Sequence, residues 1–129
     1  MAPAGYILVI EDDPSVRLMI TRRLESAGYT VRSFGSGYEG LAAALHDPPH
    51  ILLLDMNLPD ASGLSICRTV KQQMNAKAPI IIVTSARGQP ADVSAAREAG
   101  ADDYLIKPVA PGELLLHIQR FDHRPLLTN

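Results

Sequence analysis

Residues 51–55 read Ile-Leu-Leu-Leu-Asp, four apolar residues followed directly by a carboxylate. An apolar run without alternation is typical of a central strand in a parallel sheet, which is covered by helices on both faces. A core strand that ends in an aspartate is costly unless that carboxylate is paired or bound to a cation. The segment therefore predicts a buried strand that delivers Asp55 to a functional edge of the sheet.

Similar runs occur on either side of this segment. Residues 6–10 and 80–83 are apolar without alternation, which predicts two more central strands. Residues 30–34 alternate and residues 104–106 form a short run, so we expect these two segments to be edge strands. Stretches of helical period separate the runs, giving five strand–helix pairs. The pattern predicts an α/β fold with a five-stranded parallel sheet and helices on both faces.

Capping residues indicate where the helices begin and end. Asp13 is placed to cap the first helix, with Pro14 at its first position and Gly28 ending it in a left-handed conformation. We expect this helix to carry one apolar stripe, made of Val16, Met19, Ile20 and Leu24. The other four helices are predicted over residues 36–46, 62–74, 90–99 and 111–121.

Composition limits the classes of protein to consider. The chain has 129 residues, 47% of them hydrophobic, which suits one globular domain. A formal net charge of -2 provides no basic field, so we expect no direct binding to nucleic acid or anionic lipid. No apolar run approaches the roughly twenty residues of a spanning helix, and no secretory signal is recognisable. We therefore expect a cytoplasmic protein without a membrane segment.

Polar side chains follow four of the five predicted strands. They are Glu11, Asp12 and Asp13 after the first strand, Asp55 after the third, Thr84 and Ser85 after the fourth, and Lys107 after the fifth. In an open parallel sheet, the loops beyond the carboxyl ends of the strands diverge and form a crevice where ligands bind. We therefore expect these side chains to share one site.

Three clustered carboxylates indicate a bound cation. Their repulsion is relieved by a hard divalent cation, and Mg²⁺ suits the site because it accepts one or two carboxylates, several waters and phosphate oxygens. Lys107 adds a second positive charge. A cation, an ammonium group and a hydroxyl around one carboxylate are the parts needed for its attack on phosphorus. The sequence therefore predicts an aspartyl phosphate as the product.

Each of these residues also has an ordinary structural explanation. Asp13 serves as a helix cap, Thr84 as a strand-forming residue, and Lys107 as a surface cation in a loop. Suitable residue types at four strand ends rarely coincide, which favours the functional interpretation of the set.

The motifs resemble those of a known family, the CheY-like receiver domains of two-component response regulators. The resemblance rests on Glu11-Asp12-Asp13, on Asp55-Met-Asn-Leu-Pro59 with Gly63, on Thr84-Ser85, and on Gly100-Ala-Asp-Asp-Tyr-Leu-Ile-Lys-Pro108. It covers nearly the whole chain, and the order and spacing of the motifs make it specific.

The resemblance implies a flavodoxin-like, doubly wound sheet of order 2-1-3-4-5 with the phosphoacceptor at Asp55. The phosphodonor would be the phosphohistidine of a sensor histidine kinase or of a histidine phosphotransfer protein. Asp12, Asp55 and the backbone carbonyl of Asn57 would bind Mg²⁺ directly. Glu11 would act through a metal-bound water, and Asp13 would lie outside the pocket.

The same resemblance assigns the remaining site residues. Thr84 would turn its hydroxyl to the phosphoryl group, and Lys107 would pair with that group. Tyr104 would move inward as the switch aromatic, and small Ser85 would leave access to phosphate. The Lys107–Pro108 peptide bond is expected to be cis.

Four further residues bear on packing and partners. Ser62 stands where the family commonly has an acidic residue, and Val109 stands where an aromatic residue is usual. Leu116, on the fifth helix, lies off the expected core stripe and is a candidate for a partner surface, with an isolated exposed leucine as the alternative. Cys67 is expected to be a small core residue rather than a redox site.

The leading hypothesis is a phosphorylation-dependent signalling switch rather than a turnover enzyme. One rival is a binding module that keeps the fold and works without phosphorylation. A phosphatase is another, but Asn57 stands where such enzymes use a second aspartate. Flavin binding would need a glycine-rich phosphate loop after the first strand, where this chain has acids.

The expected domain organisation is a receiver domain at residues 6–121, a tail at 1–5, and a tail or the start of a linker at 122–129. Two modes of output then remain open. The domain acts by docking to a partner protein, with a phosphorylation-linked homodimer as one form of this. Alternatively, it is the receiver part of a larger regulator or hybrid kinase with its own output domain.

Overall fold

A computed structural model describes residues 5–121 of the chain. The tail expected at 122–129, and all but the last residue of the one at 1–5, lie outside the described residues. The strands are β1 (Ile7–Ile10), β2 (Val31–Phe34), β3 (Ile51–Asp55), β4 (Ile80–Ser85) and β5 (Asp103–Ile106). The helices are α1 (Pro14–Ser26), α2 (Gly37–His46), α3 (Gly63–Met74), α4 (Pro90–Ala99) and α5 (Pro111–Phe121). A short 3-10 helix, which sequence periodicity did not predict, follows α3 at Asn75–Lys77.

The five strands form one parallel sheet in the order β2-β1-β3-β4-β5. The alternating and the short strand, β2 and β5, lie at the edges, and the three apolar runs occupy the centre. The predicted fold class, a flavodoxin-like (βα)5 arrangement, is confirmed. Among the described residues, no helix is long and apolar enough to cross a membrane.

Two separate apolar cores lie on opposite faces of the sheet. On one face, Ile20 and Leu24 of α1 pack in the same cluster as Leu114 and Ile118 of α5. On the other face, α2, α3 and α4 cover the strands, and Cys67 is a fully buried member of that core. Each central strand contributes to both cores because successive side chains of a strand point to opposite faces. The sheet is thereby fixed from both sides, and its polar strand ends meet at one edge.

Capping groups fix the ends of α1 as the sequence predicts. The Asp13 Oδ1 atom accepts hydrogen bonds from the backbone N–H groups of Ser15 at 2.9 Å and Val16 at 3.3 Å. Pro14 follows as the first helical residue. Gly28 has a φ of +97°, in the left-handed region that favours glycine.

The apolar stripe predicted on α1 is wrong at Met19, which is 43% exposed. Met19 lies about 100° around the helix from Ile20, because an α-helix has about 3.6 residues per turn. Ile20 and Leu24, one turn apart, face the sheet and are buried. Met19 therefore falls on the flank of the helix, beside a groove described below.

Candidate functional site

The candidate site lies at the carboxyl edge of the sheet, where β3 and β4 end in polar residues. Asp55 is the last residue of β3 and pairs in register with Thr84, while Ser85 pairs with Ile106 of β5. Both strands extend beyond the apolar runs at residues 51–54 and 80–83, because backbone pairing continues past the last apolar side chain. Asp55 and Thr84 are consequently held in the sheet rather than in loops.

Glu11, Asp12 and Asp55 form an acidic cluster. One carboxylate oxygen from each residue lies within 4.8 Å of the other two. Glu11 is 3% exposed and Asp55 is 2% exposed, whereas Asp12 is open to solvent. Carboxylate oxygens are the ligands that a hard divalent cation such as Mg²⁺ takes, usually one or two of them directly with waters completing the coordination.

Burial and mutual repulsion disfavour the ionised forms of the carboxyl groups in this cluster. Burial is the main cause that raises the pKa of Glu11, and the neighbouring Asp55 raises it further. Burial also raises the pKa of Asp55, with a smaller contribution in the same direction from Asp12. A bound cation would offset both effects, since an opposite charge favours the ionised form of a carboxyl group.

The ammonium group of Lys107 places a positive charge next to the buried carboxylates of the cluster. Its Nζ atom lies 3.1 Å from Glu11 Oε1 and 3.2 Å from Asp55 Oδ2. Burial alone would lower the pKa of Lys107, but the two carboxylates outweigh burial and raise it. The Lys107 backbone N–H donates to the carbonyl of Ser85 at 2.8 Å, and the Lys107–Pro108 bond is cis.

The β3–α3 loop carries Asn57 next to the cluster. The Asn57 backbone N–H donates to Asp55 Oδ1 at 3.1 Å. Asn57 also forms an isolated antiparallel bridge with Ser62, which closes the base of the loop. Asp12 and Asn57 line one shallow pocket. The Asn57 backbone N–H therefore belongs to the immediate surroundings of the Asp55 carboxylate.

Asp13 lies outside the cluster, where its side chain caps α1. Sequence reasoning missed Arg17, whose Nη1 atom donates to the Glu11 carbonyl at 2.8 Å and lies 3.4 Å from the Asp12 carbonyl. This guanidinium ties α1 to the loop that carries both acids. No signal in the sequence separates Arg17 from the other arginines of α1, because its contact depends on how the helix leaves the loop.

Tyr104 connects β5 to the β4–α4 loop. Its hydroxyl donates to the carbonyl of Arg87 at 2.5 Å. The Arg87 backbone N–H in turn donates to Ser85 Oγ at 3.1 Å. The segment that follows Thr84 is thus held both by a strand-end hydroxyl and by an aromatic residue of the edge strand.

An apolar groove of about 370 Å³ opens beside the site, between α1 and the β5–α5 loop. Glu11, Thr84 and Lys107 belong to its polar end, and Met19 and Val109 belong to its apolar lining. The groove accounts for the exposure of Met19.

The chain belongs to the response regulator receiver domain family, whose model matches residues 7–119. Among its relatives is the DNA-binding response regulator MtrA of Mycolicibacterium smegmatis, 36% identical over 113 residues, which are 88% of this chain and 48% of the relative. The chemotaxis protein CheY4 of Vibrio cholerae superposes with a TM-score of 0.86 at 28% identity, over 93% of this chain and 100% of that chain. The response regulator DrrB of Thermotoga maritima superposes with a TM-score of 0.82 at 32% identity, over 91% of this chain and 52% of that chain.

Family membership defines the general role of the domain. Receiver domains are phosphorylation-controlled signalling domains of two-component systems; they interact with histidine kinases and bind Mg²⁺ at an acidic pocket. In this chain Glu11, Asp12 and Asp55 form an acidic cluster whose spacing could hold a metal ion. The chain spans about half the length of the curated relatives it matches, which are DNA-binding and transcriptional regulators.

Proposed function

We propose that this domain accepts a phosphoryl group on Asp55, with Mg²⁺ bound, and changes conformation to control a partner. One observation carries the proposal. The buried Asp55 carboxylate has the Lys107 ammonium at 3.2 Å and shares an acidic cluster with Glu11 and Asp12. This combination holds a nucleophile, an ammonium group and a cation site at one strand end, which phosphoryl transfer requires.

Four residues would hold the cation. Asp12 and Asp55 would bind Mg²⁺ through their carboxylates, Asn57 through its backbone carbonyl, and Glu11 through a bound water. The short distances within the acidic cluster and the place of Asn57 beside Asp12 support this set. The cation supplies positive charge for the oxygens of the transferred phosphoryl group.

The transfer itself uses Asp55 as the nucleophile. A carboxylate oxygen of Asp55 forms a bond to phosphorus while the bond from phosphorus to the donor's histidine nitrogen breaks, and that nitrogen keeps the electron pair. Lys107, already paired with Asp55, would then pair with the phosphoryl group. Thr84 lies beside Asp55 in the sheet register, from where its hydroxyl would donate to a phosphoryl oxygen.

The switch would follow from the new charge. The phosphoryl group adds negative charge and acceptor oxygens at Asp55, which pull Thr84 and its loop inward. Tyr104 is bonded to that loop through the Arg87 carbonyl, so movement of the loop and of Tyr104 would be coupled. A hundredfold change in the ratio of two pre-existing states needs about 2.7 kcal/mol, which one or two charge-assisted hydrogen bonds supply.

We propose that the domain acts in the cytoplasm and that its phosphodonor is a histidine kinase or a histidine phosphotransfer protein. The output is either a partner protein, including a second copy of this domain, or an output domain of the same polypeptide. The DNA-binding relatives, about twice as long as the matched region, support the second form. The main alternative function is a receiver-like module that binds its partner without phosphorylation.

Phosphorylation is tested by incubating the protein with Mg²⁺ and acetyl phosphate and measuring intact mass. We expect the wild type to gain one phosphoryl mass and Asp55→Asn to gain none, because the amide that replaces the carboxylate is not a nucleophile. Asp13→Asn is the control, since Asp13 caps α1 outside the cluster, and it should react like the wild type. No gain of mass by the wild type would favour the module that works without phosphorylation.

A further inference from the structure

The side chain of Asp60, in the β3–α3 loop, accepts hydrogen bonds from the N-cap and the first two residues of α2. Its Oδ2 atom accepts from the Ser36 hydroxyl at 2.8 Å and from the Tyr38 backbone N–H at 3.1 Å, and its Oδ1 atom accepts from the Gly37 N–H at 2.9 Å. These bonds lower the pKa of Asp60, with the Tyr38 and Gly37 backbone groups as the largest causes. We call the set of Asp60, Ser36, Gly37 and Tyr38 the clasp. It caps α2 with a carboxylate from another loop.

Packing at Gly37 independently shows that the loop and α2 are in close contact. A Cβ atom added at Gly37 would lie 3.0 Å from Ala61 Cβ, 3.0 Å from Ile66 Cδ1 and 3.1 Å from Leu58 Cδ1. Only a residue without a side chain allows this approach without displacing its neighbours. The loop is therefore held against α2 by shape as well as by hydrogen bonds.

The clasp and the acidic cluster lie at different points of the same short loop. Asn57 bonds to Asp55 at one end of the loop, and its bridge to Ser62 joins the two sides. Asp60 lies between Asn57 and Ser62 and fixes that stretch to α2. A displacement of the loop at Asp60 would therefore be transmitted to Asn57, three residues away.

We propose that Asp60 is a positioning residue for the cation site: through the clasp it holds the β3–α3 loop so that the Asn57 carbonyl faces Asp12 and Asp55. This inference rests on the proposed function, because it assumes that Asn57 is a ligand. Groups that orient ligands strongly affect metal affinity, because a hard cation such as Mg²⁺ demands near-ideal geometry.

The test compares Mg²⁺ binding by Asp60→Ala, Asp60→Asn and the wild type, followed by NMR shifts of backbone amides. We expect Asp60→Ala to raise the Mg²⁺ dissociation constant about tenfold, the lower end of the range for groups that support ligands. Asp60→Asn keeps a carbonyl acceptor and should lie between the two. Phosphorylation by acetyl phosphate should return to the wild-type rate at saturating Mg²⁺, because Asp60 touches no reacting group.

Asp102→Ala is the matched control. The Asp102 carboxylate also accepts from a backbone N–H, that of Ile81 at 2.8 Å, and pairs with Lys71 at 3.2 Å, but it lies at the opposite end of the sheet. This variant should lose stability without a change in Mg²⁺ affinity. If Asp60→Ala does not fold, Gly37→Ala, which pushes the loop from the helix side, should give the same loss of affinity.

The outcomes separate this inference from the proposed function. Unchanged Mg²⁺ affinity in folded Asp60→Ala, or in folded Gly37→Ala, overturns the positioning role and leaves phosphorylation of Asp55 intact. Equal losses of affinity in Asp60→Ala and Asp102→Ala would show a general effect of destabilisation and would also overturn it. If the wild type binds no Mg²⁺, the cation site of the proposed function fails, and the positioning role fails with it.

Discussion

The carboxyl groups of Glu11 and Asp55 are almost fully buried, and burial raises the pKa of each above the ordinary values of 4.5 and 3.8. Between the ordinary and the raised pKa, the folded protein holds protons that the unfolded chain has released. The contribution of these two groups to the free energy of unfolding therefore falls as pH rises through this range. Lys107, whose pKa is raised above 10.5, is charged in both the folded and the unfolded protein throughout this acidic range and adds no slope to it. Its stabilising contribution is lost only at alkaline pH, as pH rises from 10.5 through the raised pKa.

We expect Asp55→Asn to increase the stability of the metal-free protein at neutral pH and to flatten its pH dependence. The substitution removes one of two buried like charges while Glu11 remains to pair with Lys107, and we expect a gain of about 1–2 kcal/mol. Urea unfolding in EDTA at a series of pH values from 4 to 8 measures this. A variant that is less stable than the wild type at pH 8 would contradict the expectation.

Residues at the site differ in how far their sequence context predicts their place. Asp55 and Lys107 were predictable because each directly follows an apolar run that predicts a strand, and parallel strands end at one edge of the sheet. The place of Asp60 was not predictable in this way. Its three partners are 22 to 24 residues away, at the start of α2, so its contacts depend on how α2 and the β3–α3 loop pack together.

Among the elements, α5 shows how the same residue type serves different purposes on different faces. Leu114 and Ile118, one turn apart, are buried against the sheet. Leu116 is 65% exposed, as its position off the predicted stripe indicated. Exposure alone does not show that Leu116 belongs to a partner surface, so this role stays a hypothesis. A change in partner affinity when Leu116 is substituted would support it.

We expect Ile118→Ala to destabilise the protein by about 2–5 kcal/mol, because it leaves a cavity in the core between α5 and the sheet. Leu116→Ala, two residues away on the same helix, should change stability by less than about 0.5 kcal/mol, since the leucine is largely in solvent. Denaturant midpoints of the two variants give the comparison. Similar losses in both would mean that the outer face of α5 is also covered.

Element boundaries were the less predictable part of the fold. The types and order of all five strands and five major helices follow from periodicity and caps, because apolar runs and capping residues act locally. The extension of β4 to Ser85 depends on pairing with β5, and the exposure of Met19 depends on how far apart α1 and the β5–α5 loop lie. Both are set by neighbours that a local pattern does not contain.

For the whole molecule, the cation site links ligand binding to folding. A cation that binds only the folded protein stabilises it by about 2.7 kcal/mol at a hundred times its dissociation constant. We expect Mg²⁺ to raise the unfolding temperature of the wild type and to have little effect on Asp12→Asn, which loses an exposed ligand without disturbing the core.

Calorimetry with and without Mg²⁺, at ionic strength matched with NaCl, measures the difference. Glu25→Gln is the control, because Glu25 is exposed near the far end of α1 from the site, and it should respond to Mg²⁺ like the wild type. An equal rise in Asp12→Asn and the wild type would place the cation elsewhere on the protein.

The pairing of Lys107 with both Glu11 and Asp55 has a consequence for the order of events. Three ionised carboxylates and one ammonium give the pocket two negative charges of its own, the amount that one divalent cation neutralises. A phosphodonor, itself an anion, would meet repulsion until that cation has arrived. Phosphorylation of the pocket would then require two ligands in a fixed order, with the cation bound before the phosphodonor.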